Sequence, residues 1–241
     1  MSTVADKLRQ LITYQNDIKN ALTEKGMTLT ESDNLAGLAG KIASHQFGGS
    51  GGTDKLIGVV ENGWNDSNIV YAQNVSKIGK YMFYHCSVTT PLSFPNCTSV
   101  GEYAFKSCSS LTSISFPACT YIGSYAFGGT GLTSVSFSVC TSIDYGAFEH
   151  CHSLTSISFP SCTSIGAYAF NACSSLTSIS FPSCTFIGRQ AFVNCSSLTS
   201  ANFPVCTSID SGAFEYCYSL TSVVFPACSS IGEFAFNDCS S

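Results

Sequence analysis

Apolar and polar positions along this chain repeat with a fixed period. From about residue 66 onward one unit recurs, typified by residues 154–175: Leu-Thr-Ser-Ile-Ser-Phe-Pro-x-Cys-Thr-x-Ile-Gly-x-x-Ala-Phe-x-x-Cys-x-Ser. An Ala-Phe pair (Met-Phe once) ends at Phe83, Phe105, Phe127, Phe148, Phe170, Phe192, Phe214 and Phe236, in steps of 22 residues with a single step of 21. The short step falls in Gly128-Gly129-Thr130-Gly131, where a cysteine is also missing. Self-similarity at this period is the signature of a stacked solenoid, which tolerates a loop deletion that keeps register on both sides.

Within the unit, Leu154, Ile157 and Phe159 have the spacing of a short strand whose apolar side turns inward. Pro160 ends it, because proline cannot donate to a ladder. Ile165, Ala169 and Phe170 close the opposite wall, and Gly166 supplies the bend between them. One coil buries too little to be stable alone. Stacking covers both of its faces and joins the strands into a parallel sheet, giving a rod of about 40 Å for eight coils at ~4.8 Å each.

The first third carries a different period. Val4, Leu8, Leu11, Ile18 and Leu22 fall at alternating four- and three-residue steps, with Gln15 in the missing place. This predicts a helix over 3–23 with an a/d seam and one polar member, a device that sets register and oligomer number. Gly26 ends it, and a second helix is expected over 31–44. The helices either pair within one chain or assemble a homo-oligomer, and a trimer is favoured. The organisation expected is a helical oligomerisation and attachment segment at 1–46, a Gly-rich linker at 47–55, and at 56–241 a solenoid capped by the stretch containing Trp64.

The Leu-x-x-Ile-x-Phe-x-x-Cys spacing resembles the leucine-rich repeat, and the full unit resembles its BspA-like class. That resemblance covers about 66–241 and implies an α/β leucine-rich-repeat solenoid with a role in adhesion or recognition. The stretches Lys7–Leu22, Lys25-Gly26, Met27–Thr30 and Ala39–Ala43 resemble the start of tail-fibre and tail-tip proteins of phages and prophages. This second resemblance implies attachment to a tail or baseplate protein, a place in the virion tail, and a bacterial surface glycan or protein as receptor. A cell-surface adhesin of the BspA-like class is the alternative.

Charge narrows the partners. Residues 86–241 hold seven acidic side chains against Lys106 and Arg189, so no basic face exists to neutralise phosphates, and nucleic acid is not an expected partner. No apolar run approaches the about 20 residues of a membrane helix, and no secretory h-region follows the first residues, so cytoplasmic synthesis without membrane insertion is expected. The fourteen cysteines form two ladders of seven and read as buried thiols. Odd ladders argue against a disulfide framework, and gaps of 10 or 11 residues do not fit zinc clusters. No metal or cofactor is expected. His150 and His152 flank Cys151 but read as solvent-facing. Ser156, Ser158, Ser178 and Ser180 recur identically and should form flat hydroxyl rows, with no repeating Ser/His/Asp set; an enzyme is not expected.

Positions that vary between units are free to carry function. Variation concentrates around the Ala-Phe turn. Tyr84 and His85, Tyr145, Glu149, His150 and His152, Arg189, and Glu215, Tyr216 and Tyr218 are the candidate ligand contacts. Two units stand apart, Glu149–His152 and Glu215–Tyr218, three coils from each other and each after an Ile-Asp variant of Ile-Gly at Asp144 and Asp210. They should project from one edge about 14 Å apart. Tyr103, Tyr125 and Tyr168 share one register and read as scaffold.

Overall fold

The computed structural model describes residues 75–239, which lie within the compact unit Trp64–Ser241. The expected N-terminal helix with its seam of Val4, Leu8, Leu11, Gln15, Ile18 and Leu22, the second helix, the linker and the cap all fall outside the described residues. The described part holds fifteen strands and no helix. Its coils are therefore all strand and turn, where the leucine-rich-repeat reading had anticipated an α/β unit.

Each coil contributes two short strands. The Ser-Ile dipeptides give β1 (Lys77–Ile78), β3 (Ser99–Val100), β5 (Tyr121–Ile122), β7 (Ser142–Ile143), β9 (Ser164–Ile165), β11 (Phe186–Ile187), β13 (Ser208–Ile209) and β15 (Ser230–Ile231). These pair in order into one eight-stranded parallel sheet. The Ser-Ile-Ser segments give β2 (Leu92–Ser93), β4 (Ile114–Ser115), β6 (Ser134–Ser136), β8 (Ser156–Ser158), β10 (Ser178–Ser180), β12 (Ser200–Asn202) and β14 (Ser222–Val224). This second row is split into β2–β4, β6–β8 and β10–β12–β14. The continuous sheet thus lies on the wall of Ile165, opposite the Leu-x-x-Ile-x-Phe strand from which a parallel sheet was expected.

The core between the rows is aromatic. Phe83 through Phe236 form one column, whose rings stack at 4.8 Å for Phe83–Phe105 and 5.3 Å for Phe214–Phe236. Phe94 through Phe225 form the other, and the columns meet edge to face, as in Phe148–Phe159 at 5.8 Å. Offset and T-shaped pairs are the favourable geometries of ring quadrupoles. Leu, Ile and Ala of the unit fill the remaining space, and Leu154, Ile165, Ala169 and Phe170 are fully buried.

Gly166 is needed for a reason other than a bend. Its Cβ would sit 2.7 Å from the Asp144 carbonyl carbon and 2.9 Å from the Ile143 oxygen, so backbone of adjacent coils touches here. The left-handed residue comes two positions later, at Tyr81, Tyr103, Tyr125, Tyr168, Gln190 and Phe234. In the two Asp coils that place is taken by Gly146 and Gly212, with φ of 57° and 64°. The Ile-Asp variant is therefore a swap: Asp stands at the close approach and glycine takes the strained conformation.

Candidate binding surfaces on the turn edge and the serine face

The turn after the eight-stranded sheet is built from alternating donors. Tyr103, Phe105 and Ser107 donate their N–H groups to the carbonyls of Ser124, Ala126 and Gly128 in the next coil, at 2.7–2.9 Å. The residues between close local turns, Ala104 to Gly101 and Lys106 to Tyr103. A second left-handed position follows at His85, Ser107, Gly129, His150, Ala172, Asn194, Tyr216 and Asp238. The backbone N–H of these residues donates to the following coil, as from His150 to Asn171 at 2.8 Å, so the conformation is held without the side chain.

The predicted contacts fall into two registers. Tyr84-His85, Glu149-His150 and Glu215-Tyr216 occupy the turn's far end, at intervals of three coils, each pair including a left-handed residue. His150 and His152 come together with ring centroids 5.6 Å apart, and Tyr216 and Tyr218 at 6.1 Å. Tyr84 packs on His85 at 4.2 Å. The coils between the His and Tyr pairs present Ala172, Ser174, Asn194 and Ser196 in the same places. Glu149 accepts a hydrogen bond from Asn171 at 2.9 Å, and Glu215 from Asn237 at 3.3 Å, which fixes both carboxylates along the stack. Tyr145 and Arg189 share the other register, next to the eight-stranded sheet, and both are exposed. They do not join the ring pairs in one site.

Of the three tyrosines expected as scaffold, Tyr103 and Tyr125 stack in a column with Tyr81, rings 5.0 Å apart and within 13° of parallel, while Tyr168 lies outside that column, 5.3 Å from Tyr145 and tilted 46°. Lys106 lies over Tyr125 at 4.3 Å and Tyr103 at 5.0 Å. The column breaks at Tyr145, which sits one position early in its coil and tilts 58° from Tyr125. Gly146 leaves room for Tyr125 there; a Cβ would meet its ring at 2.7 Å. Asp144 ties the junction together, accepting from Tyr121 Oη at 3.0 Å, Ser124 Oγ at 2.9 Å and the Tyr145 N–H at 2.8 Å. Burial, with help from the Asp144 carboxylate, raises the Tyr121 hydroxyl above its ordinary range. Tyr121 and Phe186, exposed in β5 and β11, were missed by sequence reasoning. The same coil-to-coil comparison would have found them, since the place before Ile otherwise reads Lys or Ser.

The cysteine ladders are scaffold. All fourteen are free thiols, with Cys228 and Cys239 half-buried and the rest buried. One ladder donates to the carbonyl two residues on, as Cys162 to Ser164 at 3.3 Å. The other donates to the preceding coil's Phe, as Cys173 to Phe148 at 3.2 Å. Thr130 takes the missing cysteine's place, donating to Phe127 at 2.9 Å beside the Cys151 sulfur. Gly131 then cuts the corner, where a Cβ would fall 2.2 Å from the Ser109 oxygen. Among the described residues no three His, Cys, Asp or Glu side chains converge as a metal would require, so His150 and His152 stand without a third ligand.

Opposite the turn edge, the Ser-Ile-Ser row is concave over β4, β6 and β8. A shallow groove of about 400 Å³ is lined by Ser113, Ile114, Ser115, Ser134, Val135, Ser136, Ser156, Ile157 and Ser158.

Residues 62–152 and 141–241 match the BspA-type leucine-rich-repeat region, in six copies. The chain belongs to this family. It is similar to a leucine-rich repeat protein from Bacteroides ovatus at 22% identity, over 69% of either chain, with a TM-score of 0.39. A leucine rich cell surface protein from Faecalibacterium prausnitzii is 25% identical over 68% of this chain and 62% of its own, at a TM-score of 0.40. A Treponema pallidum leucine rich repeat protein is 23% identical over 68% and 80%, at 0.43. No curated protein matches. In BspA-type terms the Ala-Phe turn with its ladder is the constant frame, and the residues on either side of it carry what differs from coil to coil.

Proposed function

We propose that this BspA-type chain is a non-enzymatic adhesion protein, displayed at a cell surface, that binds a surface glycan or protein through its turn edge. The observation that carries the reading is the pairing of His150 with His152 and of Tyr216 with Tyr218, on a frame otherwise repeated coil after coil. Rigid amphipathic rings beside small polar side chains bury area at low entropic cost, the composition of adaptable recognition surfaces. Tyr218 is 49% exposed and the His150 side chain 56%, so both pairs are available. Membership of the BspA-type family supports an adhesive role more directly than the tail-fibre reading. That reading rests on residues 7–43, which precede the family match and the described residues.

The test is binding of the full chain to whole bacterial cells, measured by flow cytometry with the labelled protein. Replacing His150, His152, Tyr216 and Tyr218 by Ala together should reduce binding at least tenfold, as expected for loss of central aromatic contacts. Undiminished binding by the fourfold variant would remove the turn edge as the contact surface.

A further inference from the structure

The cysteine ladder that follows the Ala-Phe turn is not uniform. Thr130 stands where a cysteine would, and it parts Cys86 and Cys108 from the block of Cys151, Cys173, Cys195, Cys217 and Cys239. In the larger block each thiol donates to a carbonyl of the preceding coil, as Cys195 to Phe170 at 3.3 Å and Cys217 to Phe192 at 3.2 Å. Cys86 and Cys108 differ. Their sulfurs lie 2.7 Å apart, while Cys108 also donates to the Phe83 carbonyl at 2.8 Å. Among the described residues no other pair of cysteines in either ladder is in contact through its sulfurs.

The coils are also closest here. Phe83 and Phe105 stack at 4.8 Å, against 5.1–5.3 Å for every other neighbouring pair of that column. The backbone just before the two cysteines is clamped: Phe83 N–H donates to the Ala104 carbonyl at 2.8 Å and His85 N–H to that of Lys106 at 2.9 Å. A disulfide requires Cα atoms about 4.4–6.8 Å apart, and coils in register at about 4.8 Å meet that requirement. The sulfurs already touch, so side-chain rotation completes the geometry without moving the backbone. Thr130 closes off the next rung, because a hydroxyl takes no part in disulfide exchange. Within its ladder the pair therefore has no third cysteine beside it.

We propose that Cys86 and Cys108 are a cross-link site, closed into a disulfide by a small-molecule disulfide oxidant such as glutathione disulfide. Cys86 keeps 5% of its surface exposed and Cys108 none, so local opening of its coil brings Cys86 to the oxidant first. The Cys86 thiolate attacks one sulfur of the oxidant, forming a mixed disulfide and releasing one small thiol. The Cys108 sulfur then attacks the Cys86 sulfur and expels the second. The two cysteines lose two electrons and two protons; the oxidant takes up both and leaves as two thiols. The bond ties together residues 22 apart and so staples two neighbouring coils, restricting the unfolded chain. Oxidants of this class persist outside a reducing cytoplasm. The site lies in the core and does not depend on the turn-edge reading.

The reduced full chain, equilibrated with oxidised and reduced glutathione in mild urea and quenched with iodoacetamide, tests it. Mass spectrometry of unreduced chymotryptic peptides should find one disulfide, joining the peptides that hold Cys86 and Cys108, with twelve of the fourteen cysteines alkylated. The oxidised chain should unfold at a higher urea midpoint than the reduced chain, and dithiothreitol should abolish the difference. Cys86→Ser, at the more exposed member, should remove both the link and the midpoint difference. Cys173→Ser, in the larger block, should keep both. Fourteen alkylated cysteines, glutathione retained on Cys86, links formed mainly between other cysteines, or a midpoint difference that persists in Cys86→Ser would each overturn the proposal.

Discussion

Alkaline pH is the perturbation that probes the scaffold most directly, because the coils bury two columns of ionisable thiols. Burial pushes Cys119, Cys140, Cys162, Cys184 and Cys217 up to about 12 and Cys151 up to about 11, from an ordinary value of 9.0. In the unfolded chain these thiols ionise near the ordinary value. Between about pH 9 and 12 the unfolded state therefore binds fewer protons than the native state, and stability falls as pH rises. The protonated thiols' contribution is fully present below pH 9 and is lost on passing through the folded values. Each thiol removes about 1.4 kcal/mol per pH unit, so five acting together remove about 7 kcal/mol per unit. A stability of about 5–15 kcal/mol would be exhausted within one to two units above pH 9. Urea unfolding followed by far-UV circular dichroism, in reducing buffer at half-unit steps from pH 7 to 10.5, measures this. Cys162→Ala should lower stability by about 1–2 kcal/mol at pH 7 and make the alkaline slope shallower by about 1.4 kcal/mol per unit. A urea midpoint unchanged between pH 8 and 10.5 would refute the reasoning.

Two further substitutions test the packing. Phe170→Ala, in the middle of the aromatic column, should cost about 3–5 kcal/mol in urea unfolding. Phe225→Ala, in the half-buried last coil, should cost clearly less, and equal costs would show that the column is not the source of stability. Gly166→Ala should destabilise by about 1–3 kcal/mol, because its Cβ meets backbone at 2.7 Å. Gly128→Ala, whose nearest contact is 3.6 Å, should be within about 0.5 kcal/mol of the parent in the same assay.

The repeat made most of the described architecture legible before any coordinates. Coil length, buried Leu, Ile, Ala and Phe, and the cysteine ladders all follow from which positions recur; of the tyrosine column, Tyr103 and Tyr125 do, while Tyr168 falls beyond the break at Tyr145. What recurrence does not reveal is which recurring segment forms the better sheet. Ser164-Ile165 reads as wall rather than strand because it is two residues long and precedes glycine, yet with the coils' backbones in close approach at Gly166 it forms the continuous ladder. The candidate contacts at the turn's far end were legible because they vary. The serine groove was not, since its residues are the commonest in the unit.

The turn also explains how sequence can vary where the backbone is most strained. Thirteen residues other than glycine hold φ between 52° and 62°, a conformation costing roughly 1 kcal/mol for an L-residue. In an isolated turn that cost would select glycine or asparagine. Here the strained N–H of His150 donates to Asn171 at 2.8 Å and that of Tyr216 to Asn237 at 2.9 Å, with Phe148 and Phe214 locked between the same coils. The ladder, repeated at every coil boundary, carries the strain collectively. Residue identity at the left-handed position then ceases to decide the local fold, and His, Ser, Ala, Asn, Tyr and Asp all occupy it. A solenoid that fixes its turns through neighbouring coils can present rings at chosen intervals without refolding, and this is the physical reason to look for recognition at that edge.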